Sequence, residues 1–175
     1  NWCYSPYQPG ACSLVVPFPV DTEIFKSYTN EPQQDFVWFG RISPEKRILP
    51  FAERFSREMK DYNLTIIGGG DQPHMMGDID ALGSNIEYIG RKFDKNLAKI
   101  VSNHKYFVLM SEYETYCVAL LEAIACGCYC YAIYHPYLEW ARGKVHFVKD
   151  MDELFEEIKN PVLFQDDNQA WVTKC

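Results

Sequence analysis

Phe36-Val37-Trp38-Phe39-Gly40-Arg41-Ile42-Ser43-Pro44-Glu45-Lys46-Arg47 passes from an apolar run, through a glycine, into a charged loop. Successive side chains of a strand point to opposite faces, so a run that is apolar throughout must be covered on both. A strand inside a parallel sheet meets that condition, whereas a half-solvated antiparallel strand would alternate. Beyond the loop, residues 48–59 set Leu49, Ala52, Phe55 and Met59 on one stripe at helical spacing. The stretch therefore reads as strand, turn, helix.

The same unit recurs on both sides. Residues 14–16, 64–67, 86–89, 106–110, 128–133 and 145–148 read as further strands, and residues 97–101, 118–125 and 152–159 as helices. Gly68-Gly69-Gly70, Gly90 and Gly127 punctuate the joints, Gly127 as the expected C-cap of the helix before it. Strands alternating with helices make right-handed crossovers in a doubly wound, Rossmann-like parallel sheet, an α/β fold. Ligands of such sheets bind beyond the carboxyl ends of the strands, so residues just after the strands carry the functional information.

The bulk composition narrows the function classes. The chain has 175 residues, 47% hydrophobic and 15% aromatic, enough for one folded domain with a real core. Its net charge of −7 argues against a general nucleic-acid binder, which carries a basic face. Of seven cysteines, Cys126, Cys128 and Cys130 alternate along an apolar run and are expected in a buried strand. No Cys-x-x-Cys pair or histidine at zinc spacing accompanies them, so reduced thiols and a cytoplasmic location are the expectation. No apolar run reaches the roughly 18 residues that suggest a membrane span. Residues 1–13 are expected to be a linker or the remnant of a preceding domain, 14–160 the binding domain, and 161–175 a tail.

Three clusters could carry chemistry. Arg41 and Lys46 stand where a strand gives way to a helix; free amides and fixed cations meeting there suit a phosphate, although surface cations are commonly just solvated. Gly68-Gly69-Gly70 would let backbone approach a ligand closely, or would form an ordinary tight turn. It is not G-x-G-x-x-G, and no Lys-Ser or Lys-Thr follows, which weakens nicotinamide-dinucleotide and NTPase readings. Glu114 is expected at the end of a strand and the start of a helix, with Glu122 two turns into that helix. Glu122 lies among Leu120, Leu121, Ala123 and Ile124, where a buried carboxylate would need donors such as a ligand's hydroxyls. His74, His104, His135 and His146 show no metal or triad spacing and read as structural or surface residues. Cys117, beside a helix start, reads as packing, and the acidic residues of 152–159 as a solvated face.

Taken together and in order, these clusters resemble the C-terminal domain of family-4 retaining glycosyltransferases of the GT-B fold, over residues 14–160. Val16-Pro17-Phe18-Pro19-Val20-Asp21-Thr22-Glu23-Ile24-Phe25 is similar to the segment opening that domain. Residues 39–46 are similar to its phosphate-contacting stretch. Glu114 to Glu122, followed by Ala123-Ile124-Ala125-Cys126-Gly127, is similar to its E-x7-E motif. The resemblance implies catalytic roles for Glu114, Arg41 and Lys46, the two cations binding the donor's diphosphate and Glu114 contacting the donor sugar. It implies donor contacts from Gly40, Gly69, Gly70, Arg91, Tyr116, Cys117, Val118 and Glu122, with Glu122 on the ribose and residues 89–93 near sugar or base.

Thr115 and Cys117 stand where the family often has glycine, and residues 135–137 lack its usual glycine pair, which bears on the shape of the sugar pocket. The implied substrate is a UDP-, GDP- or ADP-sugar, bound without metal or cofactor. The implied partner is an acceptor glycan or lipid, presented by a missing N-terminal domain or a partner subunit. Peripheral membrane association of the longer protein fits the same resemblance. A non-catalytic sugar-nucleotide-binding module or scaffold half is the alternative.

Overall fold

A computed structural model describes residues 19–159. The expected strand at 14–16, the terminal segments 1–13 and 161–175, and Cys3, Cys12 and Cys175 lie outside those residues. Six strands, β1 (Gln33–Arg41), β2 (Leu64–Gly69), β3 (Ile86–Tyr88), β4 (His104–Leu109), β5 (Tyr129–Ile133) and β6 (Val145–Val148), form one sheet in the order β3-β2-β1-β4-β5-β6. Every neighbouring pair is parallel. The first described strand, β1, lies in the middle; the path winds outward to β3, then returns beside β1 and winds the other way. The switch point therefore falls between β1 and β4.

The helices are α1 (Ile48–Glu58), α2 (Pro73–Asp80), α3 (Asp94–Ser102), α4 (Val118–Ala125) and α5 (Met151–Lys159). They cover both faces, and the strand sequences show why. Val37 and Phe39 of β1 pack with Phe107 and Leu109 of β4 against Ala98 and Val101 of α3 and Leu120 and Ile124 of α4. Phe36 and Trp38, one residue out of phase, pack on the other side with Ile48, Phe51 and Phe55 of α1 and Leu154, Phe155 and Ile158 of α5. Consecutive apolar residues thus feed two cores, as the doubly wound fold requires.

Among the described residues, three elements have no counterpart in the sequence expectations, the shortest being a 3-10 turn at Pro44–Lys46 inside the expected loop. The α2 helix buries only Met75 and Ile79, one turn apart, and carries Pro73 in its first turn and Gly77 inside; so short a stripe gives little periodic signal. A 3-10 helix at Pro136–Ala141 buries Leu138 and Ala141. The cysteine expectation needs a correction as well. Cys126 caps α4 and Cys128 lies just before β5, so only Cys130 is in β5; all three are nevertheless buried. Burial pushes the Cys128 and Cys130 thiols well above the usual range. Among the described residues no helix is long and apolar enough to cross a membrane.

Candidate functional site

At the carboxyl edge, the ends of β1 and β2 touch. Gly40 is in register with Gly68, and Arg41 with Gly69. A Cβ on Gly68 would stand 2.0 Å from the Gly40 carbonyl oxygen, and one on Gly70 1.9 Å from that of Ile42. Only glycine permits so close an approach. The contact makes the floor of a cleft of about 420 Å³, walled by Gly40, Arg41, Gly69, Arg91, Ala119 and Glu122. Arg91 lies over the floor: a Cβ on Gly69 would be 2.5 Å from its Nε. Phe93, largely exposed, stands on the rim.

Beside the cleft is a knot of charge. Lys46 Nζ meets Glu114 Oε1 at 2.6 Å, although the two residues are 68 apart in sequence. Ser111 Oγ donates to the same oxygen at 2.7 Å, and His135 Nε2 donates to the Ser111 carbonyl at 2.9 Å. Arg41 Nη2 is held by Glu45 Oε1 at 2.7 Å, and the Glu45 carbonyl accepts from the Glu112 amide at 2.8 Å. The loops after β1 and β4 are thereby stitched together across the switch point. Both cations are neutralised by carboxylates, so an incoming anion must compete for them.

The third component is the start of α4. Its N-cap, Cys117, has a left-handed backbone, φ 57, and makes no side-chain capping bond. The dipole and first-turn amides of α4 therefore lie at the cleft wall formed by Ala119. The Tyr116 ring stacks on Trp140 with centroids 5.0 Å apart, which pins the turn. Val118 is exposed. Burial, and then the charge of Glu114, push the Cys117 thiol up to about 12, so it is a poor nucleophile. Glu122 is partly buried, and burial followed by the charge of Asp94 raises its carboxyl to about 7.

The expected residues fall into three groups. Arg41, Glu122, Gly40, Gly69 and Arg91 share the cleft. Lys46 and Glu114 pair with each other next to it rather than lining it. Gly70, pressed against the Ile42 carbonyl beside the floor, does not line the cleft, and Tyr116, Cys117 and Val118 lead into α4. Two placements are corrected. Glu114 sits in the β4–α4 loop, four positions before the helix, and Glu122 is the fifth residue of α4, little more than one turn in. Ser111, the buried buttress of Glu114, has no role that the sequence alone assigns; there it is one more serine before a loop. A larger cavity, about 750 Å³, opens at the amino edge. It holds no arginine, glycine turn or helix start, so the smaller cleft is the better anion site.

Residues 20–138 match the family model described as Glycosyl transferases group 1. No curated protein sequence matches the chain significantly. Among solved structures, the C-terminal domain of a glycosyl transferase group 1 family protein (LpcC) from Francisella tularensis superposes with a TM-score of 0.69 at 18% identity. That match covers 89% of this chain and 97% of that domain. AviGT4, a glycosyltransferase involved in avilamycin A biosynthesis, gives 0.69 at 19% identity over 94% of this chain and 53% of its own. Anabaena Alr3699/HepE, solved in complex with UDP and glucose, gives 0.72 at 13% identity over 89% and 51%. The chain spans about half the length of these last two, and its fold is that of a GT-B C-terminal domain. Matched by the family model over residues 20–138 of its 175, the chain belongs to the glycosyl transferases group 1 family.

Proposed function

We propose that the chain is the donor-binding half of a retaining glycosyltransferase, moving a sugar from a nucleoside-diphosphate sugar to a hydroxyl of a glycan, lipid or other acceptor. One observation carries the reading: Arg41, leaving β1, and Glu122, on α4, face the same cleft over the ends of β1 and β2. In this reading the diphosphate lies over the β1–β2 glycine floor. Arg41, Lys46 and the α4 amides take up the charge that builds on the leaving phosphate, the task a metal performs elsewhere. Glu122 accepts the ribose hydroxyls. When phosphate draws Lys46 away, Glu114 loses its cation and turns to the hydroxyls of the donor sugar.

The acceptor comes from a second domain or subunit, because transfer requires both reactants to be held in one geometry and closure to expel water. One observation favours the alternative of a non-catalytic binding module. Cys117 keeps a left-handed backbone that glycine adopts without cost, and its side chain narrows the space near Glu114. The test is a transfer assay with a panel of acceptors, run on this chain alone and on the chain joined to its second half, with the anomeric configuration of the product read by NMR. The expected result is negligible transfer by the chain alone and acceptor-dependent transfer with retained configuration by the joined protein. Robust turnover by the chain alone, or an inverted product, would overturn the proposal.

A further inference from the structure

The cavity of about 750 Å³ at the amino edge of the sheet has a chemistry of its own. It opens where β1, β2, β3 and β4 begin, below α3. Six residues along β1 separate its Asp35 from Arg41 in the donor cleft, roughly 20 Å at strand rise. The donor cleft and this cavity thus open at opposite ends of β1.

Its polar groups include donors, among them Gln33, Ser84, Lys99 and Asn103, as well as acceptors. The Asn63 amide nitrogen Nδ2 and backbone N–H both donate to the Asp35 carboxylate, at 3.1 and 2.8 Å. The Asn85 Nδ2 is committed to the carbonyls of Met59 and Tyr62, at 3.2 and 3.4 Å. The Oδ1 atoms of both asparagines, the remaining lone pairs of Asp35 and the exposed carboxylate of Glu87 are left to accept. His104 is occupied: Nδ1 donates to the Ile100 carbonyl at 2.8 Å, and Nε2 accepts from Thr65 Oγ1 at 2.9 Å. Burial lowers its pKa, so it lines the wall as a neutral ring.

Charge and shape then select the ligand. Asp35 and Glu87, against the single cation Lys99, leave the rim net negative, so it repels phosphates and other anions. The ring of Tyr28 and the side chains of Ile86 and Ile100 add apolar surface. A ligand that is neutral, rich in O–H donors and carries apolar C–H faces meets all of these conditions, and a pyranose chain is such a molecule. We propose that the amino-edge cavity is a second binding site, for a neutral oligosaccharide, independent of the donor cleft. It would tether a glycan on the back of the domain.

The test is saturation-transfer NMR on the full chain with maltotriose, cellotriose, chitotriose and mannotriose as probes, and with spermine and inorganic phosphate as charged controls. At least one trisaccharide is expected to show transfer. Its affinity should fall tenfold or more in Glu87→Ala and in Lys99→Glu, both exposed substitutions, while titration with a nucleoside diphosphate is unchanged in both. Four results would each overturn the proposal: no transfer to any of the four trisaccharides; binding that survives both substitutions; competition between trisaccharide and nucleoside diphosphate; or spermine or phosphate bound at these residues in their place. If a trisaccharide binds here but no nucleotide binds at all, the donor reading fails and this site stands.

Discussion

Lys46→Ala strikes stability and donor binding at once, and the structure lets the two be separated. The Lys46 ammonium is 2.6 Å from Glu114, whose side chain is 4% exposed against 21% for the lysine. Breaking a fully buried ion pair costs about 3–5 kcal/mol, because a charge is stranded, while an exposed pair is worth about 0–1. This pair lies between those limits, and the Ser111 hydroxyl still donates to the orphaned carboxylate. The expected loss is about 2 kcal/mol, a fall in Tm of roughly 4–8 °C for a domain of this size.

Donor affinity should fall as well. A hydrogen bond to a charged group is worth about 1.5–3 kcal/mol, and the lower end applies because the donor must first draw Lys46 from Glu114. That amounts to a roughly tenfold weaker Kd. The double variant Lys46→Ala with Glu114→Gln removes the stranded charge but keeps a partner for Ser111. It should recover most of the stability and none of the affinity. Urea denaturation and calorimetric titration with a sugar nucleotide read the two quantities. A single variant as stable as the parent, or a double variant that binds donor normally, would refute the reasoning.

Three further outcomes follow from the same geometry. Glu122, with its carboxyl raised to about 7, holds its proton more tightly in the folded chain than in the unfolded one, so its contribution to stability is full below about pH 4.5 and is lost as pH rises through 7. The loss is at most on the order of 3 kcal/mol. Urea denaturation at pH 5 and pH 8 should show a drop that Glu122→Gln abolishes, and an equal drop in the variant would exclude Glu122 as its source. Donor binding should be indifferent to EDTA, since Arg41 and Lys46 supply the positive charge; a strong loss in calorimetry would contradict this. Gly70→Ala forces a Cβ to 1.9 Å from a backbone oxygen, so it should cost more than about 3 kcal/mol by urea denaturation, and a neutral effect would mean that the floor is not as tight as described.

The parallel sheet was legible because its central strands are apolar on both faces: Phe36 and Trp38 serve one core, Val37 and Phe39 the other. The beginning of β1 was not, because Gln33, Gln34 and Asp35 at the amino edge are polar and read as loop. The α2 helix escaped notice because two buried residues separated by a glycine make no stripe. In the site, Arg41 could be placed from the rule that ligands gather after strands, whereas Glu122 stood out through its apolar neighbours and the resemblance to the family's motif. The Lys46–Glu114 pair could not, since nothing local joins residues 68 apart whose loops meet only across the switch point. The amino-edge cavity was equally hidden, being assembled from single polar residues at the starts of four strands.

The central claim is that the cleft over the β1–β2 glycine floor takes a sugar nucleotide through its diphosphate. The most direct measurement is calorimetric titration of the chain with UDP-glucose, GDP-mannose, ADP-glucose and NAD, repeated on Arg41→Ala. The expected result is one-to-one binding of at least one sugar nucleotide, weakened at least tenfold in the variant, with no binding of NAD. Binding of NAD alone, or sugar-nucleotide binding that ignores the loss of Arg41, would contradict it.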